Sequence, residues 1–410
     1  MGIDRATDRA TDRRARAGAT AFYLVQGMCF AGLLAQVPTL QRGLGMSDGT
    51  LTLVLLAVPV VAGAGSVLAG ALAPRTGSAV LLRLGGPLVA VAILATGLAP
   101  SVAMLYPVVA VVGLLLGVVD ATMNLQGVAV ERRYGRSLLS SFHGAWSVGG
   151  ILGALAAVLA HSLGWSLVAG LGLVAAVAVV VDVAAGPLLL PRAAEAGEPV
   201  AVAGGAAGGV PWRPLLLVGI AVTIVYLADS AASNWSTKYI EDALDGAADV
   251  APLGLAAYLG SQMVGRLAAD RPVTRFGPVL PVLAGGLLGA AGLTLVAVAP
   301  APWAAVVGFA ATGLGLSVVV PLAFSVAGRL DPDGSGAAVA RVNLFNYVGF
   351  VLGAGLIGAV AEVASLRWAF AVPAVLALVV AALAPAFRVA GMRQGPPTER
   401  STAPDVPGRR

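Results

Sequence analysis

Gly117 to Gly153 reads GVVDATMNLQGVAVERRYGRSLLSSFHGAWSVGGILG. It is the end of one apolar run, a short basic turn, and the start of another. Inside the first run sit Asp120, Asn124 and Gln126, and inside the second sit His143 and Trp146. Groups that belong in water, placed within runs this apolar, raise two questions: which solvent surrounds the chain, and what the polar groups are for.

Composition answers the first. Hydrophobic residues make up 58% of the 410 residues and charged residues 11%, with a mean hydropathy of +0.91. Soluble domains carry about a quarter charged residues, so lipid must be the solvent for most of this surface. A bilayer core about 30 Å thick takes roughly 20 apolar helical residues per span. Apolar runs fall at 19–39, 50–71, 79–98, 103–128, 141–163 and 166–189, then at 214–237, 251–269, 279–299, 302–327, 339–363 and 368–389. Strand alternation is absent and the runs are too long for barrel strands. The expected fold is an all-α membrane protein with twelve transmembrane helices.

The chain divides around these runs. Residues 1–18, with Asp among the Arg and no convincing cleavage site, read as a cytoplasmic arm before a retained first helix. Two six-helix bundles are expected over 19–189 and 214–389. Between them 190–213 is Gly-Ala rich and bracketed by proline, a composition for a flexible linker; 390–410 reads as a disordered cytoplasmic tail. With the N-terminus inside, every basic residue except Arg42, Lys238 and Arg367 falls at a cytoplasmic end. Counting the linker as a span would reverse the second half and destroy this bias, the main determinant of orientation. Both termini are therefore expected in the cytoplasm, in a bacterial inner membrane; a basic set that is all Arg except Lys238, with much Ala, Gly and Val, fits a GC-rich bacterial genome.

The halves repeat. Gly149, Gly153 and Ala154 of the fifth run match Gly349, Gly353 and Ala354 of the eleventh, displaced by 200 positions, and parallel six-helix repeats are the plan of one large transporter class. Enzyme chemistry finds no support: there is no phosphate-binding Gly-rich loop, nucleophile constellation or metal-ligand spacing. The single Cys29 excludes an internal disulfide and a cysteine metal site. The Arg residues form no face suited to nucleic acid. No cofactor is expected, and uphill work would run on an ion gradient, here read as protons.

A family resemblance enters after the eighth run. Gly265-Arg266-Leu267-Ala268-Ala269-Asp270-Arg271, then Arg275-Phe276-Gly277, resembles the helix 2–3 signature of the major facilitator superfamily in its second-half copy. The first-half copy, Gly70-Ala71-Leu72-Ala73-Pro74-Arg75-Thr76-Gly77, keeps the glycines and Arg75 but has Pro74 where the family usually has Asp. Asp120-Ala-Thr-Met-Asn124, Val130-Glu131-Arg132-Arg133 and Ser141-Phe142-His143 resemble a bacterial subgroup of YbjJ-type inner-membrane proteins. The resemblance implies the superfamily fold, a central cavity lined by helices 1, 4, 7 and 10, and alternating access. The fifth helix has glycines but no Gly-Pro pair, unlike many drug/proton antiporters of the superfamily.

The polar residues then take two readings each. A buried charge is costly in lipid, so intramembrane acids face a cavity or a partner. Asp120 and Asn124 share one face of helix 4, with Asp120 roughly 7 Å to the cytoplasmic side of the run's midpoint at about 1.5 Å per residue. Asp120 is either a protonatable coupling group or a structural bond between helices 4 and 5. His143 either shares a proton with Asp120 or Glu131, or bonds a backbone carbonyl at the interface. Asp229 lies on the opposite side of the midpoint, so the two acids suit inner and outer gates. Gln26, Asn124, Tyr226, Asn234, Asn343, Asn346 and Tyr347 are candidate substrate ligands, or equally helix–helix glue. Gly70, Arg75, Gly77, Glu131, Arg132, Gly265, Asp270, Arg271, Arg275 and Gly277 form the candidate cytoplasmic gate. Asp182 is expected to face the outer bundle as a structural residue, and Pro321 to mark a bend.

The expected function is proton-coupled movement of a small polar, sugar-like or organic solute by a monomer in the bilayer, with no nucleic-acid partner. Two alternatives stand beside it: an exporter of hydrophobic or natural-product compounds, and a transport-inactive membrane sensor or scaffold.

Overall fold

The computed structural model describes residues 2–195, 210–247, 250–251, 253–331 and 336–388. Twelve long helical elements carry the chain: α1 (Gly2–Leu44), α2 (Asp48–Thr76), α3 (Ser78–Leu98), α4 (Val102–Tyr134), α5 (Leu139–Ser162), α6 (Leu167–Ala185), α7 (Trp212–Lys238), α8 (Leu253–Ala268), α9 (Val279–Ala297), α10 (Pro302–Leu316, resuming at Val319–Arg329), α11 (Ala337–Val363) and α12 (Leu366–Ala382). Ten are long and apolar enough to cross a bilayer, and α8 and α12 are shorter. No strand occurs among the described residues. Most of the expected linker, 196–209, and the tail from 389 lie outside the described residues.

Several boundaries differ from the hydropathy reading. The arm before residue 19 is not separate from the first span: α1 is continuous from Gly2. Its lower part is held because Ala15 and Ala19 are buried and Gly18 lies against Leu188 and the Ala185 carbonyl. Helix α4 runs on to Tyr134 and stops at Gly135, whose φ of 64° and N–H bonds to the Glu131 and Arg132 carbonyls form a left-handed C-cap. Glu131, Arg132 and Arg133 are thus helical rather than part of the turn, and Asp120 moves close to the middle of the longer helix. Helix α10 breaks at Ser317, four residues before Pro321, where the proline ring denies the carbonyl its helical partner. Asp182 does not face outward: it is only 2% exposed and its carboxylate crowds Gly86 of α3.

The helix starts divide by end. Ser47, Ser101, Ser166 and Ser365 cap α2, α4, α6 and α12 with their own hydroxyls. At the opposite, arginine-rich end, acids do the same work: Glu195 accepts from the Ser78 and Ala79 N–H groups of α3. Glu131 accepts from Leu138 and Leu139 at α5, and Asp331 from Gly336 at α11. Carboxylates at helix N-termini also meet the favourable end of the helix dipole. Gln126 ties the same region together, donating to Ser78, Glu195 and the Leu190 carbonyl and accepting from the Leu190 N–H.

Within each half the helices touch through glycine. A Cβ on Gly149 would overlap the Leu24 carbonyl of α1, and one on Gly153 the Met28 carbonyl; in the second half Gly349 meets the Thr223 carbonyl of α7 and Gly353 that of Leu227. Likewise Gly117 of α4 rests on Ala62 of α2, and Gly313 of α10 on Tyr258 of α8. The pairs α1–α5 and α2–α4 thus recur as α7–α11 and α8–α10. Between halves, α2 packs on α11 and α5 on α8. Lipid offers no hydrophobic drive for helix association, so such close backbone contact is what van der Waals packing requires.

Gly149→Ala and Gly349→Ala should each lower stability by on the order of 1–3 kcal/mol, the usual cost of overpacking, whereas Gly355→Ala, whose Cβ meets nothing within 4 Å, should be neutral or slightly stabilising. Thermal unfolding of the three purified variants, followed by tryptophan fluorescence, checks this.

Candidate functional site

Three groups of polar residues lie between the halves. The first surrounds Asp120. Tyr347 Oη of α11 donates to Asp120 Oδ2 at 3.0 Å, linking α4 to the other half. Asn124, one turn along α4, donates to the Asp120 carbonyl at 2.8 Å, so its amide is turned back on its own helix. Asn124 Oδ1 accepts from Tyr23 Oη at 2.8 Å and faces His143 Nε2 at 3.3 Å. The imidazole lies parallel to the Phe324 ring, with centroids 6.0 Å apart, and against the edge of Tyr23. Among the described residues no hydrogen bond joins His143 to Asp120 or Glu131: its Nε2 faces Asn124, and Glu131 caps α5.

Asn343 donates to Ser66 of α2 at 3.2 Å, and Ser66 to the Ala340 carbonyl. Asn346 donates to Asn343 Oδ1 at 2.7 Å. Asn343 thus fastens α2 to α11, and Asn346 supports it from within α11.

The second group lies on α7 and α8. Asp229 Oδ1 accepts from Tyr258 Oη at 2.9 Å and from Gln262 Nε2 at 3.1 Å. Tyr258, Gln262 and Arg266 recur every four residues, one stripe on α8. The Arg266 guanidinium donates from Nη1 to Ser147 Oγ of α5 at 3.0 Å and lies 6.0 Å from the Trp146 ring. The Trp146 indole N–H in turn donates to Gln26 of α1. Tyr226 is on α7, about one turn before Asp229 in the chain, and packs beside Gly349 of α11. Asn234 is exposed and bonds back to Ser230, away from the others. Arg266 was expected among the topological arginines at the membrane edge; it is instead buried beside Trp146. The polar residues Tyr258 and Gln262, also absent from the expected set, carried a legible signal in their four-residue spacing within an apolar run.

The third group closes the arginine-rich end. Gly70 faces the Ala340 methyl, Gly328 the Val128 side chain and Gly336 that of Leu125, all across the half-interface. Arg132 donates to the Gly328 carbonyl, and Ser137 and Ser141 donate to Asp270. Gly265 abuts Ser317 of α10. Gly77 and Gly277, with φ of 84° and 75°, end α2 and the short helix Asp270–Phe276. Arg75, Arg271 and Arg275 are exposed. Hydrogen bonds between halves include those of Arg132, Ser137 and Ser141 at this end, and those of Ser147, Ser66 and Asp120 further along the helices.

A family model described as Major Facilitator Superfamily matches residues 218–408. An uncharacterized MFS-type transporter of Yersinia pestis is 29% identical over 363 residues, 88% of this chain and 93% of that protein. The second half of the chain is thus similar to the major facilitator superfamily, and most of its length to an MFS-type transporter. Among solved structures, FucP, a fucose:proton symporter of E. coli, matches in its outward conformation with a TM-score of 0.71 at 14% identity, over 91% of this chain and 98% of that one. The human organic anion transporter MFSD10 matches with a TM-score of 0.73 at 17% identity, over 91% and 99%. At these identities the two structures speak for the fold. The protein is a multi-pass membrane transporter and not an enzyme.

Asp270, the acid of the second-half signature, accepts from Ser137 and Ser141 of the first half. Burial pushes Asp270 up to about 7, the nearby Glu131 charge adds to the rise, and the bonds from Ser141 and Ser137 oppose it. An acid whose pKa is raised in one state contributes to that state fully below its ordinary pKa, and the contribution is lost as pH rises from there through the raised value. Asp270 is better solvated once the seam parts, so the closed seam should be most favoured below the ordinary carboxylate range and loosen as pH rises from there through about 7. Spin labels at the exposed positions 75 and 341 should report more separated populations at pH 8 than at pH 6, and Asp270→Asn should abolish the difference.

Proposed function

We propose that this transporter couples protons to the movement of a small polar organic solute, with uptake as the working direction. The observation that carries the reading is the Tyr347–Asp120 hydrogen bond at 3.0 Å, made across the two halves by an acid inside the membrane. An ionised Asp120 accepts this bond strongly, because hydrogen bonds to charged groups are the stronger ones. Protonation removes the charge and weakens the tie, and separation of the halves breaks it. Proton occupancy and half-separation are therefore linked at one atom pair, as a coupled carrier needs. The fucose:proton symporter that shares the fold supports the same reading.

With the arginine-rich end in the cytoplasm, as the charge bias favours, both termini are cytoplasmic, the protein resides in a bacterial inner membrane, and the closed seam makes this an outward-facing state. The bodies that rock are residues 19–189 and 214–389, joined by 190–213, in a monomer. Asp120 is the coupling acid and Asp229, beside Tyr258, the outer one. Gln26, Tyr226 and Trp146 contact the solute, while Asn124, His143, Asn343 and Asn346 hold the helices around it.

Purified protein in liposomes with an inward proton gradient, given a panel of radiolabelled sugars and small organic solutes, should accumulate its solute above equilibrium. Asp120→Asn should reduce accumulation to equilibration while preserving counterflow exchange. Unchanged gradient-driven accumulation by that variant would remove Asp120 from the mechanism.

A further inference from the structure

Arg266 is 8% exposed, its buried Nε has no hydrogen-bond partner, and among the described residues no carboxylate lies within 4.0 Å of the guanidinium. Its one bond to a side chain goes to the neutral Ser147 hydroxyl. An arginine does not shed its proton in a protein, and an unpaired buried charge is strongly unfavourable. A fixed cation is therefore held in the seam with its hydrogen-bonding capacity only partly used. Asp229, the nearest candidate partner on α7, is engaged instead by Tyr258 and Gln262, the two preceding members of the same helical stripe.

We propose that Arg266 is a recognition site for the carboxylate of the transported solute. A guanidinium presents a planar fork that fits a carboxylate with two parallel bonds. The neighbours suit an organic body attached to that group: the Trp146 ring, with Phe30 6.2 Å beyond it, offers an apolar wall. The Tyr226 hydroxyl lies within the field of Arg266, Asp120 and Asp229 together. A single guanidinium matches the single charge of a monoanion, whereas a phosphate dianion would leave one charge unpaired in a buried site. The substrate class is a small hydroxylated monocarboxylate. This deepens the transport reading above and rests on it for the solute's passage, but the binding site stands on the Arg266 geometry alone.

The test uses the full-length protein in detergent and matched probes: D-glucuronate, D-gluconate and quinate as carboxylates, D-glucose and myo-inositol as neutral counterparts, and D-glucose 6-phosphate as the dianion. Each is measured by ligand-induced thermal shift and by titration calorimetry, with every variant referred to its own ligand-free melting temperature. Carboxylates should stabilise the protein and the neutral and phosphorylated compounds should not. Arg266→Gln should abolish the carboxylate shift, and Arg266→Lys should retain the preference for carboxylates at lower affinity, having kept the charge and lost the fork. Absence of a shift with all three carboxylates, equal binding of the neutral compounds, or carboxylate affinity unchanged in Arg266→Gln overturns the proposal. If neutral sugars bind and are accumulated, the anion site falls while coupled transport stands. If a carboxylate binds but is never carried in liposomes, the site stands and transport falls.

Discussion

Each half of the molecule depends on backbone laid against backbone: Gly149 on the Leu24 carbonyl, Gly349 on that of Thr223, Gly117 on Ala62 and Gly313 on Tyr258. Lipid is as apolar as the side chains it touches, so burial of Leu or Val does not by itself bring helices together. What does is close packing, and glycine permits the closest approach. Because the same contacts recur in both halves, α1–α5 and α7–α11 behave as equivalent pairs. The main surfaces left for contact between halves are those of α2 with α11 and of α5 with α8, joined by α4 against α10 and α11.

That arrangement decides where polar groups can go. At the arginine-rich end the seam is made of small residues and acid caps, and most of its polar groups are satisfied locally, as with Glu131 on α5 and Glu195 on α3. Higher in the membrane the bonds change character. Asp120 depends on a tyrosine from the other half, and Arg266 finds only a serine there. Interactions that cross the seam are the ones a rocking motion must make and break, and these two involve full charges.

The opposed signs of these charges also shape the chemistry. Asp120 and Asp229 act on the same tyrosine hydroxyl as Arg266, so the centre of the protein carries both signs within one region of low dielectric. There a proton taken up by an acid and an anion taken up by the guanidinium would favour one another electrostatically. Under the proposed function, coupling of a solute carboxylate to a proton would need no long-range relay, only charges neutralised together.

The amino-acid sequence by itself determined the membrane class, twelve helices, the repeat and the superfamily resemblance, because hydropathy, glycine spacing and the Gly265–Gly277 signature are properties of consecutive residues. It also singled out Asp120, Tyr226, Asp229 and Tyr347, since an acid or phenol in an apolar run stands out at any distance from its partner. It could not say that α1 continues from Gly2 or that α4 reaches Tyr134, because helix persistence beyond the apolar run depends on what packs there. Nor could it separate Asn124, His143 and Asn343, whose bonds are spent on neighbouring helices, from Arg266, which has unspent ones. Pairing across 119 residues, as between Ser147 and Arg266, is set by how two helices meet in space, and only the tertiary structure decided that.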